Sequence, residues 1–302
     1  MTEPVPIAVP RKGRPLEAVL ERVATIADDS DAEGLVDDVT SVLRYEKAIT
    51  KGEQHPDADS YQRLAEYSEL SRGPEYTLLR DDRPGKPRRI VFDSLRVELD
   101  GQPVHLVGRE EPFRALRTHE FALGFDAADL VLEEVVTLGP TGVSDLGDVN
   151  ERIDPMESDV RVVTGLGDTV YHTLLGVPEA VPTGTTLDRE FLTGYEGPLC
   201  ISPRYERLVE AVLGTAAIEG IEFVYPHNGQ EEEEAIAEAG LGVYLTVTGN
   251  TAREHGLVLG EQLFPSETVL LENSAELDET VKAVRATVSG EDLREETELW
   301  AE

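Results

Sequence analysis

Lysine, cysteine and long apolar runs are scarce in this chain of 302 residues. Its single cysteine, Cys200, cannot form an internal disulfide, which is typical of a protein from a reducing compartment. The apolar runs are much shorter than the roughly 20 residues of a membrane-spanning helix. The N-terminal stretch MTEPVPIAVP has no basic segment before an apolar core, so we see no signal peptide. We therefore predict a cytoplasmic protein that has no membrane partner.

Basic residues show the largest deficit. The chain has 27 Lys and Arg against 61 Asp and Glu, which gives a net charge of −34. An acidic surface of this kind repels nucleic acids and anionic lipids, so we expect no nucleic-acid partner. Acidic residues spread along the whole chain, with Arg used in place of Lys, are typical of proteins from salt-loving archaea, where molar salt screens charges beyond about 3 Å. The charge therefore indicates a halophilic habitat and says little about activity.

Clusters that would carry metal or serine chemistry are also missing from the sequence. The histidines are scattered without metal-ligand spacing, so we predict no transition-metal site: His55, His105, His119, His172, His227 and His255. The stretch GVSDLG has its final glycine one position too late for the G-x-S-x-G pattern of a hydrolase nucleophile elbow. The sequence alone identifies no catalytic residue.

The N-terminal half begins as strand and helix. PIAVP predicts a short strand, and Leu16, Val19, Leu20 and Val23 recur at helical spacing behind Pro15. The acidic segment 28–73 predicts two helices, 32–51 and 57–71, and we interpret it as an insertion over the surface. A hairpin across LDGQP, a helix near 112–118, a strand, loop and helix in FALGFDAADLVLEEV, and two strands in DVRVVTGLGDTVYHTLLGVPE follow.

From about Val181 the pattern alternates strand and helix, which indicates βαβ units. SETVLLENS then predicts a returning strand, and 275–290 a closing helix. We predict an α/β fold with mostly parallel or mixed sheets in two lobes with a central cleft. The first lobe would comprise 1–178 and 261–302, and the second 179–260.

The stretch GVYLTVTGNTAREHGL predicts a strand, a turn and a helix. Thr248, Gly249, Asn250 and Thr251 suit a phosphate-binding loop, because backbone N–H groups in a tight turn and nearby hydroxyls hold phosphate. The alternative is an ordinary turn in which Thr251 caps the helix. A second Thr-Gly pair lies in 183–187, where we interpret Thr186 as a helix N-cap.

With the following SETVLLENS, this loop resembles the phosphoribosyl-diphosphate loop of the ATP phosphoribosyltransferase family. IAVPRKGRPLEAVLERV is similar to the opening strand and turn of that family, with Lys12, Gly13 and Arg14 in place. PHNGQEE resembles its Asn-Gly-x-x-Glu turn and places Asn228, Gly229 and Glu232. FALGFDAADLVLEE, GLGDTVYHTLLGVPE and CISPRYERLVEAVL resemble further family segments in the same order along the chain.

The resemblance implies a two-lobed fold of the type II periplasmic-binding-protein kind. It also implies transfer of a phosphoribosyl group from phosphoribosyl diphosphate to ATP, with Mg²⁺ assisting. In that reading 248–251 holds the 5′-phosphate, and Lys12 and Arg14 contact a polyanionic ligand. A homo-oligomer or a regulatory subunit is a possible assembly.

The chain departs from the family pattern at several acidic positions. Tyr244 and Gly240 stand where the family has acids before the loop, and Ala122 stands where it has Asp. A non-catalytic paralogue that binds a phosphorylated or other anionic metabolite is therefore the alternative function. An adaptor that uses the segment 28–73 is a third possibility.

Overall fold

A computed structural model describes residues 3–27, 30–67, 75–83, 89–137, 146–182, 184–227 and 230–290 of the chain. These residues form two compact units, each built around one β-sheet with helices packed on it. The first unit takes the chain up to Ala127, Pro155–Asp168 and the segment from Thr268 onward. The second takes Ala128–Asp154 and Thr169–Glu267. The predicted α/β fold class is confirmed.

The sheet of the first unit has seven strands in the order β2-β3-β4-β1-β5-β12-β6. β1 is parallel to β4 and to β5, and the other neighbours are antiparallel. The predicted hairpin across LDGQP joins β3 to β4. The strands are β1 Val5–Pro10, β2 Tyr76–Arg80, β3 Ile90–Leu99, β4 Gln102–Arg109, β5 Leu123–Ala127, β6 Val160–Gly165 and β12 Thr268–Asn273.

The helices of this unit cover its sheet. They are α1 Arg14–Ile26, α2 Ser30–Thr50, α3 Ser60–Tyr67, α4 Pro112–Arg117 and α12 Glu279–Ser289, with a 3₁₀ turn at Ser274–Glu276. The apolar stripe predicted for α1 is confirmed, because Leu16, Val19, Leu20 and Val23 are at most 1% exposed.

Helix α2 corrects the prediction that the acidic segment 28–73 runs over the surface. Val36, Val39 and Leu43 lie on one face of α2 and are buried in the same apolar cluster as α1 and β3. The helix is acidic outside and apolar inside, so it covers part of the core. Helix α2 spans 30–50 where 32–51 was predicted, and α3 begins at Ser60 where a start at 57 was predicted. Residues 28–29 and 68–73 lie outside the described residues.

The sheet of the second unit has five strands in the order β11-β7-β10-β8-β9. β8 is parallel to β9 and β10, whereas β7 is antiparallel to β10 and β11. The strands are β7 Val170–Gly176, β8 Gly197–Cys200, β9 Ile221–Val224, β10 Leu241–Thr246 and β11 Val258–Ser266. The helices are α5 Ala128–Glu134, α6 Leu146–Glu151, α7 Arg189–Thr193, α8 Glu206–Leu213, α9 Thr215–Ile218, α10 Glu232–Ala239 and α11 Asn250–Glu254, with a 3₁₀ turn at Pro203–Tyr205.

The unit boundaries differ from the predicted ones at 178/179 and 260/261. The chain passes between units after Ala127, Asp154, Asp168 and Glu267. The reason lies in strand pairing, because β7 and β11 pair with each other in the second sheet, whereas β6 pairs with β12 in the first. β11 was not predicted, since Gly260 and Pro265 interrupt its pattern. Within the described residues, no helix combines the length and apolar character needed to cross a membrane.

Candidate functional site

The predicted phosphate-binding loop follows β10 and leads into α11. Residues 247–249 form a bend, and α11 begins at Asn250. The side chains of Thr248, Asn250 and Thr251 are exposed, whereas Gly249 is buried. Because the first backbone N–H groups of a helix have no partner within it, this turn presents donors beside two exposed hydroxyls. Those are the groups that an anion requires.

Gly249 occupies a position that requires glycine. Its φ is 69° in the left-handed region, where it precedes the first residue of α11. A Cβ at this position would lie 2.2 Å from Leu259 Cδ2. The N-cap of α11 is therefore Gly249 and not Thr251, which corrects the capping residue predicted for an ordinary turn. The Thr251 hydroxyl is not used as that cap.

The strand before the loop is fixed by hydroxyl contacts. The Oγ1 atoms of Thr173 and Thr246 are 2.6 Å apart, and the Thr246 hydroxyl also donates to the Tyr171 carbonyl over 3.4 Å. Thr246 and Thr173 are both nearly inaccessible to solvent. The exposed part of the loop thus begins directly after a rigid strand end.

Arg253 is a part of the loop that sequence reasoning missed. Its Nη1 donates to the Thr248 carbonyl over 2.9 Å and to Asn250 Oδ1 over 3.2 Å. The Asn250 side-chain oxygen therefore accepts a hydrogen bond from Arg253, and the guanidinium places a positive charge beside the turn. Its spacing, two residues after Thr251 on a short helix, is the signal that could have identified it.

Tyr244 stands on β10 at the position where the related family has an acid, and it lies beside the acidic start of α10. Burial raises the pKa of the Tyr244 hydroxyl well above its usual value, and the charges of Glu232 and Glu233 raise it further. The structure therefore brings the predicted site residue Glu232 to Tyr244. A carboxylate is present in this neighbourhood although β10 does not supply it.

The start of α10 also lies beside the end of α11. His255 Nε2 is 3.6 Å from Glu231 Oε2, which connects the two helices at the surface. Burial raises the pKa of the Glu233 carboxyl, with the Glu232 charge adding to the effect. The loop and Glu232 are therefore parts of one neighbourhood in the second unit. Asn228 and Gly229, predicted for the same site, lie outside the described residues.

Lys12, Gly13 and Arg14 lie in the first unit, where they connect β1 to α1. Gly13 has a φ of 89° and is the N-cap of α1, with Pro15 in the first turn. This left-handed conformation is one that glycine adopts without strain. The turn therefore has the backbone form expected from the sequence.

Arg14 is held by Asp168. Its Nη1 forms an ion pair with the Asp168 carboxylate and donates to the Asp168 carbonyl over 2.7 Å. The Arg14 Nε is buried and has no hydrogen-bond partner in the structure. One face of the guanidinium is thus neutralised by a carboxylate, while one N–H donor is unsatisfied.

Further cationic side chains lie at the same edge of the first sheet. Arg83 Nη2 is 2.7 Å from Glu110 Oε1, and Arg11 Nη1 is 3.7 Å from that oxygen. Hydrogen bonds from Arg83 hold the pKa of the buried Asp81 carboxyl far below its usual value, and the Lys12 charge adds to this. In a chain with a net charge of −34, such a group of cations is a local exception. Arg83 was not predicted, because it is distant in sequence from the turn.

The second Thr-Gly pair has a structural role that differs from the prediction. Asp188, and not Thr186, is the N-cap of α7, and its side chain accepts a hydrogen bond from the Phe191 N–H over 2.9 Å. Asp is a better cap than Thr and stands two residues later. Thr183 itself lies outside the described residues.

Across the parts of the chain that the structure describes, no three or more His, Cys, Asp and Glu side chains are grouped so as to hold a metal ion. Those residues do not fit a metal cage formed by protein side chains alone.

Three individual proteins are distantly similar to this chain. The chain is 28% identical over 143 residues to the ATP phosphoribosyltransferase of Symbiobacterium thermophilum, which covers 47% of this chain and 62% of that protein. The chain thus spans less than two thirds of the length of this relative. The ATP phosphoribosyl transferase (HisG:HisZ) complex from Thermotoga maritima contains a chain with 13% identity and a TM-score of 0.44, with 96% of each chain covered. A periplasmic substrate-binding protein of an ABC transporter from Coxiella burnetii has 10% identity and a TM-score of 0.38, covering 96% of this chain and 94% of that one.

The comparison with protein families is more extensive. The family described as halobacterial ATP phosphoribosyltransferase matches residues 1–299, which include the loop at Gly249, the turn at Gly13 and the acidic helices of the first unit. The chain belongs to the halobacterial ATP phosphoribosyltransferase family.

Proposed function

We propose that this chain transfers the phosphoribosyl group of phosphoribosyl diphosphate to the N1 nitrogen of the adenine of ATP, in histidine biosynthesis. The observation that carries the proposal is the loop at Gly249, in a chain whose family match spans residues 1–299. Its left-handed glycine, helix-start N–H groups and exposed Thr248 and Thr251 hydroxyls suit a 5′-phosphate.

The reaction exchanges one bond at the ribose. N1 of adenine forms a bond to C1 of the ribose while the bond from C1 to the diphosphate oxygen breaks, and diphosphate leaves with the electron pair. The residues of the chain contribute mainly by positioning the two substrates and by stabilising charge. In this proposal the loop holds the 5′-phosphate, and the cations near Lys12 and Arg14 hold polyphosphate.

Glu232 is our candidate for the contact to the ribose hydroxyls. The family acid of β10 is replaced here by Tyr244, and Glu232 lies close enough to Tyr244 for its charge to raise the pKa of the tyrosine hydroxyl. A carboxylate accepts hydrogen bonds from sugar hydroxyls, and the neighbouring half-buried tyrosine would limit its rotation. Tyr244 would then position the acid that β10 lacks.

We also propose that Mg²⁺ binds together with the diphosphate group of the substrate. The described side chains do not form a metal cage, but Mg²⁺ is commonly held by one or two carboxylates together with substrate phosphates. When bound, it would neutralise charge on the leaving group. Calorimetric titration of phosphoribosyl diphosphate with and without Mg²⁺ tests this part of the proposal.

The alternative is a non-catalytic member of the family that binds a phosphorylated or anionic metabolite. Two observations favour it: Tyr244 replaces the family acid, and Arg14 is already paired with Asp168. In that case the loop would bind phosphoribosyl diphosphate without turnover of ATP.

Binding is tested by calorimetry at high KCl with phosphoribosyl diphosphate. Loss of one hydrogen bond to a charged group costs about 1.5–3 kcal/mol, so Thr248→Ala should weaken binding roughly 10- to 150-fold. Thr193→Ala is the matched control, because Thr193 is exposed in the same unit and donates only to the Arg189 carbonyl over 3.1 Å. Absence of binding by the unaltered chain would refute the transferase function, and it would refute the alternative for phosphoribosyl diphosphate as the ligand.

Turnover separates the two functions. Release of diphosphate that depends on ATP is expected if the chain is the enzyme, and Glu232→Gln should lower it while leaving phosphate binding nearly intact. The non-catalytic function is supported if the unaltered chain releases no more diphosphate than a sample without protein. In that case Tyr244→Asp should produce turnover if the missing acid is the only defect.

The expected assembly and location are proposals as well. Sedimentation of the purified chain at high salt distinguishes a monomer from a homo-oligomer. Co-purification from the source cells tests for a regulatory subunit, and cell fractionation tests the cytoplasmic location.

A further inference from the structure

Helices α2 and α3 and the loop between them line an open surface cavity of about 470 Å³ in the first unit, and nothing in the proposed function uses it. Its lining includes Val42, Tyr45, Pro56, Asp57, Glu66 and Tyr67. Small-molecule sites typically have volumes of about 300–1,000 Å³, so this cavity has the size of a site for a small ligand.

The floor of the cavity is Arg63, which forms a buried ion pair with Glu46. Arg63 Nε donates to Glu46 Oε1 over 2.7 Å, and Arg63 Nη2 donates to Oε2 over 2.9 Å. Arg63 Nη1 also donates to the Ala58 carbonyl over 2.8 Å, and the Tyr67 hydroxyl donates to Glu46 Oε1 over 3.0 Å. This network fixes α3 against α2 and neutralises the Arg63 charge.

The buried ion pair joins the two helices at a high cost in desolvation free energy. Moving both charges out of water has a desolvation cost that their attraction often fails to recover, and apolar side chains of similar volume are often as stable. Glu46 and Arg63 are only 2% and 7% exposed. The pair gives the cavity a fixed polar floor, and this floor does not repel cations because the Arg63 charge is neutralised by Glu46.

The walls and rim select the charge of a ligand. Tyr45 and Tyr67 contribute aromatic rings, which attract cations over their faces. Asp57 and Glu66 contribute exposed carboxylates, and within 3–67 and the other described segments neither has a hydrogen bond or an ion-pair partner. Two tyrosines, two unpaired carboxylates and a neutralised arginine favour a positive ligand and disfavour the anionic substrates.

We propose that this cavity binds a small, planar organic cation of the amidinium or guanidinium class. The cation stacks on the tyrosine rings, its donors meet Asp57 and Glu66, and its apolar part lies against Val42 and Pro56. The size of the cavity suits a free small molecule.

Benzamidine, which is a cation near neutral pH, is the probe, and neutral benzamide is its counterpart of nearly the same shape. Calorimetry on the full chain at about 1 M KCl should show binding of benzamidine at least tenfold tighter than binding of benzamide. The affinity for benzamidine should fall as KCl is raised, because the two carboxylates are exposed to screening.

Variants locate the binding. Tyr45→Leu keeps apolar bulk but removes the aromatic face, so it should weaken benzamidine at least fivefold and leave benzamide nearly unchanged. Glu66→Gln should weaken benzamidine several-fold. Tyr61→Ala is the matched control. Tyr61 lies on α3 together with Glu66, is 62% exposed and does not line the cavity. Melting curves confirm that each variant is folded, which is expected because Tyr45 is itself 40% exposed.

Three outcomes would overturn the proposal: no binding of benzamidine up to about 10 mM, equal affinity for benzamide, or equal weakening by Tyr61→Ala. The readout does not involve phosphoribosyl diphosphate or ATP, so this proposal and the proposed function can fail separately.

Discussion

The carboxylate of Asp168 accepts two hydrogen bonds from Thr268, one from its backbone N–H and one from its hydroxyl, each 2.7 Å long. The same carboxylate is the ion-pair partner of Arg14. One acidic side chain thus fixes the start of β12 and occupies the guanidinium that the family resemblance assigns to a polyanionic ligand.

Asp168→Asn should therefore raise the affinity of the chain for inorganic diphosphate. The amide can still accept from the Thr268 N–H, but it no longer neutralises Arg14. The free energy of unfolding should fall by about 1–3 kcal/mol, because a charge-assisted hydrogen bond is lost. Calorimetry and chemical denaturation at one fixed KCl concentration measure the two effects.

The matched control for this prediction is Glu261→Gln, which removes another arginine–carboxylate pair, that of Arg189 and Glu261. It should leave diphosphate affinity unchanged. If Asp168→Asn binds diphosphate no more tightly than the unaltered chain, Arg14 is a structural residue and does not contact the ligand.

Gly249→Ala should destabilise the protein more than Gly256→Ala. Both glycines have a left-handed φ, 69° and 74°, so both substitutions carry the backbone cost of about 1–2 kcal/mol. Only at Gly249 would the new Cβ also lie 2.2 Å from Leu259 Cδ2, whereas Gly256 has no heavy atom within 4 Å of that position. Denaturation curves measure the difference, and adding Leu259→Ala to Gly249→Ala should reduce it. Equal losses at the two glycines would show that the crowding is relieved without cost.

The stability of the protein should decrease between about pH 9 and pH 11 because of Cys200. Burial raises the pKa of the Cys200 thiol from 9.0 to about 11, and the Glu232 charge adds to the effect. The unfolded chain loses this proton first, so the stabilising contribution is complete below pH 9 and disappears as the pH rises through 11. A difference of this size corresponds to about 2–3 kcal/mol. Denaturation at several pH values should show a shallower decline for Cys200→Ala, and an identical decline would argue against a buried neutral thiol.

The melting temperature should rise steeply between about 0.1 and 2 M KCl. With 61 acidic and 27 basic residues, the folded chain repels itself until salt screens the charges. Sucrose at matched osmolality is the control, because it stabilises by exclusion without screening. A melting temperature that is flat or falling with KCl would contradict the halophilic interpretation.

Local patterns in the sequence predicted most elements of the fold. The strand at β1, the stripe of α1 and the hairpin of β3 and β4 follow from short-range periodicity and turn residues. The burial of Val36, Val39 and Leu43 was readable from their spacing on α2, but the acidic residues around them favoured a surface segment. β11 was missed because its pattern is broken by Gly260 and Pro265, and its place depends on pairing with β7.

The site was predictable only where it is continuous in sequence. The left-handed Gly249 and Gly13 stand in turns that the sequence indicates. The pairing of Arg14 with Asp168 joins residues 154 positions apart, and no local pattern contains it. The meeting of Tyr244 with Glu232 likewise depends on how α10 packs on β10.

The position of β12 between β5 and β6 has a consequence for protein synthesis. Most of the first unit leaves the ribosome before the second unit. Its sheet nevertheless lacks β12, the strand between β5 and β6, until Thr268–Asn273 has been translated. All strands of the other sheet lie within Val170–Ser266, so that sheet has its complete set of strands earlier. The nascent chain therefore holds open strand edges of β5 and β6 from their synthesis until β12 is made, and this last strand completes the sheet of the first unit.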